Sequence, residues 1–227
     1  ATNTALALKA PIASPVFTGN VGIGNASPAQ ELDISSTNPA IRLTDTTTSG
    51  LYHDLVSFGN DLRFSADGGG VEADTNIEFY IDNAEKMRIT SDGFVTTPYC
   101  PSFRVGANSS FTGNNTIHLH ASELHDIGNN YNPSNGRFTA PVAGSYYFGV
   151  QLISSLNDTS TEQNINLRVN NTPINDSRYQ GYTNGGAHLK TVVVLSVGDY
   201  VTVANGNADT TTYAGGFHNQ FMGYLIG

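Results

Sequence analysis

The side chains of this 227-residue chain that could do chemistry are few: six histidines, one cysteine and nineteen carboxylates. His118 and His120 are two residues apart, with His125 nearby. On a β-strand such a spacing puts both imidazoles on one face, where they could coordinate a transition metal or pack and hydrogen bond inside a core. The sequence leaves metal binding open, with His118 and His120 as the candidate ligands.

Patterns typical of catalysis are missing from the sequence. Carboxylate pairs occur at Glu72/Asp74 and Asp82/Glu85, but they stand in hydrophilic turn sequence, where solvated charges are the ordinary outcome. No Gly-x-Ser-x-Gly elbow for a nucleophile is present. Cys100 stands in Tyr-Cys-Pro without an evident activating residue, and a single cysteine cannot form an intramolecular disulfide. We therefore expect that the protein is not an enzyme.

The charge balance excludes further classes of partner. The formal net charge is −9, and only 13% of the residues are charged. A nucleic-acid phosphate backbone or an anionic membrane surface would be repelled. The longest aliphatic run, Val192–Leu195, is far shorter than the ~20 residues of a membrane-spanning helix. We expect neither nucleic-acid binding nor membrane insertion.

The elements that must position these groups are predicted to be strands. Hydrophobic residues make up 38% of the chain, including 11 Tyr and 11 Phe, and the chain is rich in the Thr, Val and Gly that suit strands and tight turns. The length and apolar content of the predicted strands change near residue 98. We predict an all-β protein with a stalk segment at 1–20, a small β-rich connector at 21–97, and a β-sandwich or jelly-roll head at 98–227.

Short alternating runs mark the connector, and longer, more apolar runs mark the head. The predicted strands of the connector include Ile41–Leu43, Leu62–Phe64, Ile77–Ile81 and Met87–Ile89. Those of the head include Tyr146–Ile153, Ile165–Val169, Thr191–Val197, Tyr200–Ala204 and Phe217–Ile226. The connector strands have so little apolar content that we expect burial to be shared between subunits.

Three phrases in the first hundred residues resemble the stalk and connector sequence of tailed-phage tail fibres. They are KAPIASPVFTGNVGIG (Lys9–Gly24), PAIRLTD (Pro39–Asp45) and IEFYIDNAEKMRITSDG (Ile77–Gly93). Tail fibres are trimers whose chains wind around one axis. The resemblance implies a homotrimer in the tail fibre of a virion, in contact with other phage tail proteins.

The head resembles the complement C1q globular-head family, which has a TNF-like jelly-roll fold. Six positions match the family signature at its spacings: Asp126, Tyr131, Phe138, Gly144, Tyr146 and Phe148. Two positions depart from it, because His120 stands where the family has its first Phe and Val150 replaces the last aromatic residue. The phrases NGRFTAPVAGSYYF, LSVGDYVTV and FMGYLIG also fit. We expect Tyr146 and Phe148 to share a face and to pack with Phe138 across a tight turn.

Strand parity predicts where a binding surface lies. If both ends of the head domain lie at one end, as the resemblance implies, the three long polar loops fall at the opposite tip. These loops are predicted at Ser154–Asn164, Gln180–Leu189 and Asn205–Gly216. Loops on a rigid scaffold commonly carry binding. The receptor-binding candidates at this tip are Asn157, Asp158, Arg178, Tyr179, Tyr182, Asn184, His188, Asp209 and Tyr213.

These observations together favour a phage tail-fibre receptor-binding protein that attaches to a bacterial surface glycan or protein. A structural cap that trimerises the fibre without binding a receptor is the main alternative, and a polysaccharide depolymerase is the other. The C1q resemblance also leaves calcium open as a cofactor, with Asp158, Glu162, Asp199 and Asp209 as oxygen ligands. In a trimer, three His118–His120 pairs near the axis would present six nitrogens to one metal.

Overall fold

The computed structural model describes residues 17–107, 109–153, 155, 158–181, 185–208, 212–214 and 217–227, with the backbone alone at 158–161 and 180–181. Most of the predicted stalk segment therefore lies outside the described residues. Strands, turns and bends account for all regular structure in the described part, which confirms the all-β prediction. The chain divides into two compact units, with the boundary between Thr97 and Pro98.

The first unit consists of three small sheets. Its strands are β1 (Val21–Ile23), β2 (Leu32–Ile34), β3 (Ala40–Thr44), β4 (Tyr52–Phe58), β5 (Asp61–Ser65), β6 (Ile77–Ile81), β7 (Ala84–Ile89) and β8 (Val95–Thr96). Strands β1 and β2 pair in parallel. Strands β3–β4–β5 and β6–β7–β8 form two antiparallel meanders.

Each meander has one apolar and one polar face, because alternate residues point to opposite sides of a strand. In the first meander, Ile41 lies opposite Leu55, and Leu55 lies opposite Phe64. The side chains on this face remain open: Leu43 is 66% exposed and Phe64 is 67% exposed. No residue within 17–97 is buried. The described part of this unit, residues 17–97, therefore has no hydrophobic core of its own in a single chain.

The opposite faces of the two meanders carry the charges. Arg42 donates two hydrogen bonds to the carboxylate of Asp54, at 2.9 and 2.8 Å, and its guanidinium lies 3.6 Å from the ring centre of Tyr52. In the second meander, Arg88 contacts the carboxylates of Glu78 and Glu85 at 2.6 and 2.5 Å. The charges on these faces are thus paired within their own meander, whereas Leu43 and Phe64 on the apolar face of the first meander remain open.

The second unit is a sandwich of ten strands. These are β9 (Ser102–Gly106), β10 (Ser122–Ile127), β11 (Tyr131–Asn132), β12 (Arg137–Thr139), β13 (Gly144–Ile153), β14 (Asp158–Val169), β15 (Thr172–Gly181), β16 (Gly186–Leu195), β17 (Tyr200–Asn205) and β18 (Gln220–Leu225). The first head sheet has the order β10-β9-β18-β13-β16, and the second has the order β11-β12-β17-β14-β15. Non-consecutive strands are neighbours in both sheets, as in a jelly roll.

Aromatic rings fill the space between the two head sheets. Phe103 stacks on Phe138 with ring centres 4.7 Å apart, and it meets the ring of Phe221 edge-on at 4.8 Å. Tyr146 and Phe148 lie 5.6 and 5.7 Å from Phe138. The predicted packing of these three signature residues is confirmed. Burial of each ring contributes roughly 1.5–3 kcal/mol to stability.

The connection between β12 and β13 differs from the tight turn that the sequence suggested. Residues 140–143 lead from the second head sheet into the first, so β12 and β13 are not hydrogen-bonded neighbours. Phe138 therefore meets Tyr146 and Phe148 across the sandwich. The hydroxyl of Tyr146 donates to the carbonyl of Val142 at 2.8 Å, which holds this crossing in place.

Candidate functional site

The strand register defines two ends of the head sandwich. At one end, which we call the near end, Ser102 at the start of β9 pairs with Tyr224 at the end of β18. At the other, the far end, Gly106 pairs with Gln220. The residues that lead into β9 and out of β18 are thus at the near end. Connections 128–130, 140–143, 170–171 and 196–199 also lie there.

The far end gathers the two longest connections of the head. The register of β13 with β16 and of β14 with β15 places the strand ends Ile153, Gly186, Asp158 and Gly181 at this end, and the register of β17 and β18 places Asn205 and Gln220 there too. The strands that flank all three predicted loops therefore end at this end of the head. Two of these loops are shorter than predicted, because β14 begins at Asp158, β15 extends to Gly181 and β16 begins at Gly186.

A fourth connection at the far end was missed by the sequence reasoning. Residues 107–121 leave β9 at Gly106 and return into β10 at Ser122, which pair with each other. Part of this segment runs beside β17: the amide of Asn115 donates to Asn205 at 3.1 Å, and the amide of His118 donates to Val203 at 2.9 Å. Counting the alternation of strand connections between the two ends, continued back to β9, would have placed this connection at the far end.

Two predicted tip residues lie on strands, which corrects their placement in loops: Asp158 is the first residue of β14, and His188 belongs to β16. Arg178 and Tyr179, which precede the predicted loop at 180–189, belong to β15. Side-chain contacts of Asp158 are outside the described part of the structure. His188 is exposed on the outer face of the first head sheet. The candidates Asn157, Tyr182, Asn184 and Asp209 lie outside the described residues.

Arg178 and Tyr179 already have partners within the chain. Arg178 pairs with Glu162 at 3.2 Å and with Asp176 at 2.9 Å, and all three side chains are exposed. The hydrogen bond that Arg178 donates to Asp176, together with the negative charges of both carboxylates, raises the pKa of Arg178. The hydroxyl of Tyr179 donates to Gln163 at 2.9 Å, and its ring packs against the core. Tyr179 therefore supports the sandwich more than it offers a free surface.

Tyr213 is a predicted candidate that the structure presents at the far end, where its ring meets that of His218 and where Phe217 precedes His218 along the chain. The side chain of Tyr213 is 46% exposed, and its ring meets that of His218 at 5.7 Å. Phe217, which the sequence assigned to the last strand, precedes β18 and is 79% exposed. We call Tyr213, Phe217 and His218 the far-end ring cluster.

Buried hydrogen bonds fix the backbone under this cluster. The side-chain amide of the buried residue Asn219 donates to the carbonyl of Tyr213 and accepts from the amide of Ile153 at 3.0 Å. The amide of Tyr213 donates to the carbonyl of Ile153 at 2.7 Å, and the side chain of Gln220 donates to the carbonyl of Phe217 at 3.1 Å. The cluster is therefore held on a defined backbone.

The proposed metal ring of His118 and His120 is wrong for this structure. Both side chains are fully buried between the sheets of one chain, so they cannot reach an axis shared by three chains. His118 stacks on Phe111 at 4.5 Å, and its Nε2 lies 2.6 Å from Asn205 Oδ1. His120 lies 5.9 Å from the ring of Phe221, in the core position where the signature has Phe. The alternative of a packed structural pair is the one observed, with the ring of His118 hydrogen bonded to Asn205.

The four carboxylates considered for calcium do not form one site. Glu162 lies in the far part of β14, where it pairs with Arg178. Asp199 lies in the near-end turn, where its carboxylate accepts from the amide of Ser196 at 2.8 Å and from the side chain of Asn170 at 2.7 Å. These hydrogen bonds lower the pKa of Asp199. Within the described residues, no three His, Cys, Asp or Glu side chains form a group that could hold a metal ion.

The first head sheet carries an apolar outer patch toward its near end. Tyr147 on β13 lies opposite both Val192 on β16 and Tyr224 on β18, and the two tyrosine rings are 5.2 Å apart. Val194 extends this surface and is 78% exposed. We call Tyr147, Val192, Val194 and Tyr224 the outer-sheet patch. An exposed apolar surface of this kind is typical of an interaction site.

No described residue belongs to a helix long and apolar enough to cross a membrane.

Cys100 carries a free, half-buried thiol close to the near end of the head, with its Sγ 3.6 Å from the carbonyl of Leu225. In the connector, Glu85, which belongs to the carboxylate pair Asp82/Glu85, forms an ion pair with Arg88.

Comparison with known proteins gives similarity to the head alone. Among solved structures, the globular domain of zebrafish complement 1qA protein is 18% identical, covering 56% of this chain and 98% of its own, with a TM-score of 0.45. Murine APRIL is 10% identical (56% and 99% covered, TM-score 0.48), as is Eiger TNF from S. frugiperda (56% and 94% covered, TM-score 0.47). No curated protein matches the sequence.

The profile of the C1q domain matches residues 102–226, from the first residue of β9 to just beyond β18. The match spans more than half of the chain and coincides with the ten-strand sandwich. Of its signature residues, Asp126 accepts hydrogen bonds from the backbone amides of Asn130 and Tyr131, and Phe138 and Phe148 belong to the aromatic core described above. The chain therefore belongs to the C1q domain family.

Proposed function

We propose that this protein is the distal part of a trimeric phage tail fibre and attaches the particle to a bacterial surface through the far end of its C1q head. The observation that carries the proposal is the asymmetry of the head. Connections of two to four residues and the entry and exit of the chain occupy the near end, whereas the two longest connections, 107–121 and 206–219, and the far-end ring cluster occupy the other.

The open apolar faces of the connector support association of identical chains into a trimer. The connector has no buried residue within 17–97, and its two meanders leave apolar faces open. Such a unit cannot bury enough apolar surface alone. Whatever covers its apolar faces must therefore be present whenever the chain is folded. Other copies of the same chain meet that requirement. The outer-sheet patch gives the head a second uncharged surface for the same contact. Both resemblances imply three copies.

The chemistry of the far end suits a neutral or weakly charged surface molecule. Tyr213 and Phe217 offer ring faces, which stack on the apolar faces of sugar rings and on apolar protein groups. The net charge of −9 disfavours strongly anionic receptors. Three weakly binding tips on one rigid head gain avidity when they engage together. The receptor class is therefore a bacterial surface glycan or protein.

A trimerisation cap without receptor binding is the second candidate function. The outer-sheet patch and the open connector faces favour it, because both serve assembly whether or not the far end binds anything. Depolymerisation of a polysaccharide has no comparable support among the described residues.

Adsorption of the labelled full chain to a panel of bacterial strains tests the proposal. We expect saturable binding to at least one strain. The double substitution Tyr213→Ser and Phe217→Ser should weaken it at least about tenfold, or ~1.4 kcal/mol, while leaving the trimer intact in sedimentation. Val142→Ser, an exposed residue at the near end, is the matched control.

Each other outcome has a definite meaning. A folded trimer that binds no strain supports the cap and overturns attachment. Binding that survives the far-end substitutions but not the near-end one places the receptor site elsewhere. Loss of polymer from capsulated cells would favour the depolymerase.

A further inference from the structure

Residues 109–121, which we call the far-end strap, cover one end of the head core. The strap is hydrogen bonded to β17: the amide of Asn205 donates to the carbonyl of Thr116 at 2.9 Å, and the amide of His118 donates to that of Val203 at 2.9 Å. It also pairs with the neighbouring connection, because Phe111 and Thr212 exchange hydrogen bonds at 3.0 and 3.2 Å. Movement of the strap would therefore move residues near the far-end ring cluster.

Three aromatic side chains of the strap are inserted in the core. Phe111 stacks on His118, and its ring lies 6.1 Å from that of His120. The two imidazole rings are 6.0 Å apart. His120 also approaches Phe221, and its backbone amide donates to the hydroxyl of Tyr131 at 3.2 Å. The histidine pair thus anchors the strap between the sheets.

The hydrogen bonds of the pair suit neutral rings only. His118 Nε2 faces the side-chain oxygen of Asn205 at 2.6 Å, so Nε2 carries the proton and Nδ1 does not. His118 Nδ1 and both ring nitrogens of His120 are buried and have no hydrogen-bond partner. A second proton on either ring would create a buried cation. For His120 a backbone hydrogen bond with His118 favours the charged ring, but burial outweighs it, so charging is strongly unfavourable.

The surroundings offer no charge to stabilise such a cation. The groups that face the two rings are Phe111 from the strap, Asn205 from β17 and Phe221 from β18, and the hydroxyl of Tyr131 from β11 meets the backbone amide of His120. Tyr131 is the titratable one among them; burial raises its pKa, so it stays neutral in acid. Arg168 reaches the carbonyl of Asn205 at 3.4 Å and adds positive charge nearby. Among the described residues, no carboxylate lowers the cost of charging either ring.

Burial lowers the pKa of His118 from 6.5 to about 4. Burial, together with repulsion from His118, lowers the pKa of His120 to about 3. A group whose pKa is lower in the folded than in the unfolded state takes up a proton on release. Release is therefore favoured as pH falls below 6.5, with the full effect reached below about 3.

We infer that the strap is an acid-sensitive latch: protonation of His118 and His120 expels both rings from the core and frees residues 109–121 while the two head sheets stay paired. The sheets can remain because the rest of the aromatic core, including Phe103, Phe138 and Phe148, has no group that charges in acid. Freeing the strap also breaks its pairing with Thr212 and loosens the far-end loop that carries Tyr213. The state of the far end thus becomes dependent on pH.

Hydrogen–deuterium exchange of the full chain between pH 7 and pH 3.5, normalised to the intrinsic exchange rate at each pH, tests the latch. We expect peptides from 109–121 to lose protection at a higher pH than peptides from β13 and β16. His120→Phe puts an aromatic ring that cannot be protonated beside Phe111 and Phe221, and it should move the loss of strap protection to lower pH by at least about one unit. His188→Gln, which removes an exposed histidine, should leave it unchanged.

His118→Gln provides a second variant in case His120→Phe does not fold, because a glutamine amide can still donate to Asn205 Oδ1. It should also shift the loss to lower pH. The latch is overturned if strap and sheets of the unmodified protein lose protection in one step, if the strap stays protected to pH 3.5, or if the folded variants release it at the unmodified pH. Separate release of the strap with a shift in either variant supports it.

Discussion

The ring of Phe148 occupies the space into which a side chain at Gly223 would point. A Cβ atom at residue 223 would lie 2.6 Å from Phe148 and 2.9 Å from Phe103, both of which belong to the aromatic core. Strand β18 can pass beside these rings only because it has no side chain at this position. This contact couples the FMGYLIG phrase to the signature aromatics.

Gly223→Ala should destabilise the head by about 1–3 kcal/mol, because the added methyl overpacks a rigid aromatic cluster. Chemical denaturation of the full chain measures the change as a lower midpoint for the head transition. Gly227→Ala, where a Cβ meets nothing within 4 Å, should change little. Equal stability of Gly223→Ala and the unmodified protein would contradict the packing described here.

Asp126 caps the turn that leads into β11. Its carboxylate accepts from the amides of Asn130 at 3.1 Å and Tyr131 at 2.9 Å. Asp126→Ala should lower the free energy of unfolding by about 1–3 kcal/mol, because both amides lose their acceptor. Asp126→Asn keeps one acceptor oxygen and should cost less. A thermal melt of the three proteins gives the order, and identical melting points would rule out the cap.

The outer-sheet patch should control association of the head. Val194→Asp places a charge where we propose that copies meet, and it should weaken association at least about tenfold, since an unpaired charge is costly to bury. Sedimentation over a concentration series measures the effect. Ile174→Asp makes the same change at an exposed position of the second head sheet. If both variants behave alike, the patch is not the contact surface.

Phe64 and its neighbour Arg63 test the connector. Phe64 belongs to the open apolar face of the first meander, whereas Arg63 lies on the other face, with its guanidinium 4.2 Å from the ring of Phe58. Phe64→Ser should remove about 1.5–3 kcal/mol per chain if copies bury this face. Arg63→Ser should stay within ±0.5 kcal/mol or so.

Hydrogen exchange of peptides from β3 and β5 gives the readout for this pair. Faster exchange in the phenylalanine variant alone is the expected result. Unchanged exchange in both variants would mean that the connector is stable without a covered apolar face.

Part of a strand was predicted as a loop because its side chains are polar. Asn164 and Gln163 were assigned to a loop because their neighbours are hydrophilic, yet β14 extends back to Asp158. Gln163 is fully buried and accepts from Tyr179. A buried polar side chain with a partner is compatible with a central strand, but the partner is 16 residues away along the chain. Periodicity of apolar residues cannot reveal such a contact.

The sequence alone determined the local features, because they depend on neighbours along the chain. Alternation in β13 put Tyr146 and Phe148 on one face, the Gly and Asn turns limited the strands, and the spacing from Asp126 to Phe148 indicated the family. Only the tertiary structure decided which distant residues meet. It packed His120 against Phe221, closed residues 109–121 over the core and gathered Tyr213, Phe217 and His218 at one end. Those contacts depend on how the two sheets cross and stack, which is set by the packing of the whole core.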